Sequence, residues 1–228
     1  MIDWLVLDAQ RPWSALRSEY TAWAALEPRI PGDPGLGSPW GASRIGGWRE
    51  GIFFNARQNP NTLWGRPWEI LVLRQSADEI TVECVGRNEA AEVRRTITLR
   101  RGKRTIGIES QATARRGPCH LALYPHAIHA MPGTPAPLLR LSGDAAVADE
   151  RSLIEHDGTL HFRPRGEELR IASPLDHRFM RLCFHAEEVA IFLTDFASDY
   201  FTLEPFGTIR SCEQGESVHL WLEYELGG

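Results

Sequence analysis

The sequence predicts a mainly β protein: an antiparallel β-sandwich with one N-terminal helix. Three observations predict it. Short apolar runs, several with period-2 alternation, fill the chain beyond residue 42. Turn-forming clusters separate those runs, and helical periodicity is confined to one stretch near the start.

The elements follow in order. Ile2 to Leu7 is a short apolar run with the character of an edge strand. Pro12 stands where a helix can begin, and Trp13, Leu16, Tyr20, Trp23 and Leu26 recur at helical spacing until Pro28 ends the pattern. That amphipathic helix is expected to pack on the main body. From Pro28 to Gly41 the sequence PRIPGDPGLGSPWG is too rich in Pro and Gly for regular structure and reads as a long loop. Strands are expected at Ile70–Leu73, Ile80–Val85, Val93–Leu99, Ile106–Ser110, Leu121–Tyr124, Phe179–His185, Val189–Thr194, Phe201–Glu204 and Val218–Leu226. Turn signals lie between them, among them Gln75-Ser76-Ala77-Asp78, Arg101-Gly102-Lys103, Arg116-Gly117-Pro118, His156-Asp157-Gly158 and Gln214-Gly215-Glu216. The organisation expected is one domain over residues 1–228, with 1–41 a helix and loop extension and 42–228 the sandwich.

Composition narrows the function classes. A chain of 228 residues with 43% hydrophobic and 24% charged residues is ordinary for a soluble globular protein and long enough for a two-layer core. No apolar run approaches the ~20 residues a membrane helix needs. The first residues, MIDWLVLDAQRP, carry Asp3 inside their apolar part and have no basic start, so no secretory leader and no membrane association are expected and a cytoplasmic location is the default. The net charge of -5 argues against a nucleic-acid partner. Lys103 is the only lysine, so arginine supplies nearly all the positive charge. A basic stretch from Arg94 to Arg116 has the chemistry to meet a phosphorylated ligand, although Arg94, Thr96, Thr98 and Arg100 fit a solvent-facing strand face better. Cys84, Cys119, Cys183 and Cys212 are far apart, with no C-x-x-C pair, and read as buried or idle thiols rather than a zinc site or disulfide framework. An exposed sheet edge can pair two copies into a homodimer.

Two stretches carry groups able to move a proton. In PCHLALYPHAIHAM, Pro118 to Met131, Leu121 and Leu123 alternate with Ala122 and Tyr124 before His126 and His129. In YFTLEPFG, Tyr200 to Gly207, Phe201 and Leu203 share one face, while Thr202 and Glu204 are expected on the other, looking out. A carboxylate and an imidazole on neighbouring strands are suited to general acid/base work near neutral pH. On residue types alone, turn histidines and a solvated strand end fit these positions better.

From residue 42 onward the chain resembles the galactose mutarotase-like superfamily, which includes the aldose 1-epimerases. Ala42-Ser43-Arg44-Ile45-Gly46 is similar to the family's N-R-I segment, and Asn61-Thr62-Leu63-Trp64-Gly65 to its N-x-L-H-G segment. His126-Ala127-Ile128-His129 stands where the family has H-P-Y-F or H-S-Y-F. Leu203-Glu204-Pro205 and Gln214-Gly215-Glu216-Ser217 resemble the catalytic-glutamate segment and its P-G-E-S turn. The order of these segments, more than any one of them, carries the likeness. The resemblance implies a supersandwich fold and interconversion of sugar anomers, with Glu204 as general base at the anomeric hydroxyl and His126 as general acid at the ring oxygen. It also implies a sugar or sugar phosphate as ligand, with Arg44, Trp64, Tyr124, His129 and Phe206 as its contacts. No metal and no organic cofactor is implied.

One departure is chemical. Trp64 replaces the histidine of the family's segment and can stack on a sugar ring but cannot accept a hydrogen bond. No match for the family's sugar-binding aspartate is found. A non-catalytic carbohydrate-binding or sensing domain on the same fold is therefore a second reading. A third is a cupin-like metal site built from His120, His126, His129 and Glu204, against which stands the three-residue spacing of His126 and His129, since on a regular strand it sends them to opposite faces.

Overall fold

The computed structural model describes residues 48–54, 68–129, 131, 133–135, 138–143, 154–156, 159–196 and 201–228. The expected N-terminal strand, helix and loop, together with Arg44, Trp64, Tyr200 and the 157–158 turn, lie outside the described residues. Sixteen strands and no α-helix make up the described part. The chain enters on β1 (Trp48–Phe54) and continues through β2 (Glu69–Gln75), β3 (Glu79–Arg87), β4 (Ala91–Arg100), β5 (Thr105–Ala114) and β6 (Cys119–His129). Shorter strands follow: β7 (Arg140–Ser142), β8 (Ile154–His156), β9 (Thr159–Phe162), β10 (Glu168–Ala172), β11 (Phe179–Phe184) and β12 (Val189–Asp195). The last four are β13 (Phe201–Thr202), β14 (Glu204–Gly207), β15 (Arg210–Cys212) and β16 (Ser217–Gly227).

Eight of the nine runs expected as strands fall in one strand each, several of which extend beyond the run that announced them, and the ninth, Phe201–Glu204, is divided between β13 and β14. Local chemistry explains the turns between them. Ser76 Oγ accepts from the backbone N–H groups of Asp78 and Glu79, closing the β2–β3 hairpin. Asn88 Oδ1 does the same for Ala90 and Ala91 between β3 and β4. Gly102 takes a φ of 71°, which a side chain would resist, in the turn from β4 to β5.

One antiparallel sheet of eight strands, in the order β2-β3-β4-β5-β16-β11-β10-β7, forms the first layer. Facing it are two four-stranded sheets. In one, β6 lies between β1 and β13 and also pairs with β15; the other runs β14-β12-β9-β8. Period-2 burial along β5 and β16 turns Ile106, Ile108, Leu220, Leu222 and Tyr224 toward the second layer. There they meet Leu121 and Leu123 of β6 and an aromatic group in which Phe192 stacks on Phe162 and meets Phe184 edge-on at 4.9 Å. No helix among the described residues is long and apolar enough to cross a membrane.

The first layer is unevenly covered. At its β2 end the apolar run Ile70–Leu73 is exposed, Ile70 at 68% and Leu71 at 50%, and a bulge interrupts the pairing with β3 between Val72 and Arg74. Toward β11 the sheet is sealed, and Leu182 is fully buried.

The expected consequence is a steep contrast between two leucines. Leu182→Ala should cost about 2–5 kcal/mol in urea unfolding, through lost transfer energy and an unfilled cavity. Leu71→Ala should stay within about 0.5 kcal/mol of wild type. A large loss at Leu71 would show that its side chain is covered in solution.

Candidate functional site

The site is built where the chain from 201 to 212 runs back along β6. Phe201 and Thr202 pair with His129 and Ile128, and further along Arg210, Ser211 and Cys212 pair with Leu121, His120 and Cys119. Both ends of this segment are therefore fastened to one strand. Between them β14 leaves the ladder to pair with β12, Glu204 lying opposite Leu193. It still passes close to β6, because a Cβ on Gly207 would stand 2.9 Å from the carbonyl oxygen of Leu123. Glycine at this position allows that approach.

The sequence suggested one strand from Phe201 to Glu204 with the carboxylate looking out. Instead Leu203 divides two strands, and Phe201, Thr202, Leu203 and Glu204 are all buried, Glu204 to 6% exposure. Period-2 alternation fails here because the chain changes partner strand between Thr202 and Glu204, so both faces acquire cover. The buried carboxylate has a donor: Tyr124, itself 2% exposed, donates its phenolic hydrogen to Glu204 Oε2. The Tyr124 ring also lies 5.3 Å from that of Phe206, which is partly exposed.

Tyr124, Glu204 and Phe206 are thus brought together. His129 is on the far side of β6, 1% exposed in the core, stacked on Phe201 at 5.2 Å and 6.0 Å from the ring of Tyr224. Of His126 the backbone is described, two residues along β6 from Tyr124. β6 continues as strand through position 129, so the turn that a joint His126–His129 metal site would need is missing. Among the described residues no group of three or more His, Cys, Asp or Glu side chains is placed to hold a metal ion.

Arg94 and Arg100 of β4 are occupied by carboxylates. Arg94 bonds Glu92 and Glu83, Arg100 bonds Glu79, and Arg87 of β3 bridges Glu69 and Glu92. Arg95, on the other face, is buried with its guanidinium over the ring of Trp68. The hydrogen bond from Arg87, followed by that from Arg94, outweighs desolvation and holds the Glu92 carboxyl below its ordinary value.

No protein-family model matches the sequence, and no curated protein sequence does. Solved structures do match. The chain superposes on the protein HI1317 with a TM-score of 0.59 at 13% identity, over 95% of this chain and 83% of that one. A galactose mutarotase-like protein from Lactobacillus casei gives 0.51 at 12% identity, over 82% and 91%. The fold is galactose mutarotase-like. A candidate aldose 1-epimerase from Klebsiella pneumoniae superposes with a TM-score of 0.55 at 10% identity over 70% of this chain, which spans about half of that protein, 53%. Identities this low carry the mutarotase-like fold and not the chemistry, so the site is read from its own side chains.

Two outcomes follow. Tyr124→Phe takes one donor from a buried carboxylate and should cost about 1–3 kcal/mol in urea unfolding at pH 7; an unchanged midpoint would mean that another donor replaces the phenol. Glu92 has a depressed folded-state value, so its contribution is present above the unfolded value of 4.5 and is lost as pH falls through the folded one. Glu92→Gln should therefore cost under about 1 kcal/mol at pH 7, given its partial exposure, and nothing measurable near pH 2. An equal loss at both pH values would remove the ion pairs as the cause.

Proposed function

We propose that this protein acts on a cyclic sugar or sugar phosphate, interconverting its anomers by general acid/base catalysis in the manner of an aldose 1-epimerase. The observation that carries the reading is the buried Glu204 carboxylate, oriented by Tyr124 beside β6. Glu204 takes the proton of the anomeric hydroxyl as the ring opens. His126, whose backbone lies two residues along β6 from Tyr124, delivers a proton to the ring oxygen, and the roles reverse on closure on the other face. A carboxylate held in one orientation and shielded from bulk water suits this work, since a base that need not reorganise loses less on reaching the transition state. Phe206, partly exposed next to Tyr124, offers an aromatic edge to the sugar, and Arg44 and Trp64 are the further contacts that the family resemblance implies.

A second reading, a carbohydrate-binding or sensing domain without turnover, is favoured by Trp64, which cannot accept a hydrogen bond where the resembling family has histidine. It keeps the ligand class and removes the proton transfer.

The deciding experiment follows freshly dissolved α-glucose, α-galactose and their 6-phosphates to anomeric equilibrium by NMR. Wild type should accelerate the approach for at least one of them, and Glu204→Gln and His126→Ala should each lose on the order of 10²–10⁴-fold in rate. Full activity in both variants would overturn the assignment of the two groups. No acceleration by wild type, with sugar binding still detectable by calorimetry, would leave the binding domain.

A further inference from the structure

Four cysteines scattered through the sequence give no local pairing signal, but the fold brings two of them face to face. Cys119 opens β6 and Cys212 closes β15, 93 positions on (212 − 119), and they are direct partners in the antiparallel ladder between those strands. Residues directly opposite in such a ladder have Cα atoms about 4.5–5.5 Å apart and side chains on the same face. A disulfide accepts Cα separations of roughly 4.4–6.8 Å. Both side chains are buried in the same core, at 3% and 2% exposure. The other two cysteines lack such a partner: Cys84 is opposite Arg95, and Cys183 lies between Glu168 and Glu223.

We propose that Cys119 and Cys212 are a redox-modification site, closing to a reversible intramolecular disulfide when the protein meets a small-molecule disulfide oxidant. In the resting state both are thiols. Burial pushes both above the ordinary range, and the Cys212 thiol donates to the Arg210 carbonyl at 3.7 Å. Access comes through β15, only three residues long, whose Arg210 and Ser211 are exposed and which leads directly into the Glu213–Glu216 turn. Release of so short a strand from β6 requires few hydrogen bonds to break. The thiolate of one cysteine then attacks the oxidant, expelling one thiol and leaving a mixed disulfide. The other cysteine attacks that bond and expels the second thiol. The protein loses two electrons and two protons, the oxidant leaves as two thiols, and a thiol reductant reverses both steps. The closed loop would contain β6 through β15, and with them the Tyr124–Glu204 contact.

The test treats the full chain with an excess of oxidised glutathione, then counts thiols in denaturant and records intact mass and a proteolytic map. Two of the four thiols should disappear, the mass should fall by about 2 Da with no adduct, and the peptides holding Cys119 and Cys212 should be linked. Closing so long a loop should raise Tm by more than about 5 °C relative to the reduced protein. Cys119→Ser and Cys212→Ser should each abolish the mass change while leaving Cys84 and Cys183 titratable. Four thiols remaining after oxidation, or a link involving Cys84 or Cys183, would overturn the proposal. The wild-type map decides the matter even if a serine variant folds poorly.

Discussion

A carboxylate removed from water must find in the protein the hydrogen bonds that water supplied, and the second layer of this fold is arranged around that requirement at Glu204. The phenol of Tyr124 meets it only because β14 passes close to β6. That approach depends in turn on the absence of a side chain at Gly207, where any Cβ would press on the Leu123 carbonyl. One missing methyl group thus permits a contact three residues away. The pairings at Phe201–Thr202 and at Arg210–Cys212 keep the whole segment from drifting off β6.

From Leu121 to Pro125, β6 is accordingly buried on both sides. Leu121 and Leu123 are pressed into the core shared with the eight-stranded sheet, while Ala122 and Tyr124 are covered on the opposite face. His129 belongs to the first of these environments and Tyr124 to the second. A single strand therefore supplies both the packing that fixes its own position and the group that orients the carboxylate. Positional precision at the site is inherited from the core, because a strand held by apolar contacts along its length has little freedom to tilt.

Much of the fold was legible in the residues. Clean alternation at Val93–Leu99, Ile106–Ser110 and Val218–Leu226 announced strands because each has one face on the core and one toward solvent. Most strands without such a signal are short: β7, β8, β9 and β15 have three or four residues, too few for a period to be read, and β10 (ELRIA) has only two apolar residues in alternation; β1 (WREGIFF), seven residues long, was missed because its apolar residues do not alternate. At the site, the sequence pointed to Tyr124 and Glu204 but not to the bond between them, since eighty positions separate the two. The exposure expected of Glu204 failed for a local reason, the exchange of partner strands at Leu203. The Cys119–Cys212 juxtaposition was invisible for the same cause as the Tyr124 bond: strand register between distant segments is set by the whole sheet.

The eight-stranded sheet also imposes an order of assembly. Its strands β2 to β5 form a meander of adjacent hairpins that can pair as soon as each emerges, but the inner neighbour of β5 is β16, and Thr113 meets Ser217 across 104 positions of chain. During synthesis β5 must therefore wait, with an open hydrogen-bonding edge and Ile106 and Ile108 uncovered, until more than a hundred further residues have left the ribosome. A long interval with an unpaired apolar edge exposes a nascent chain to wrong partners. For this protein the vulnerable moment in the cell is the time before the last strand arrives, and holding chaperones would act there.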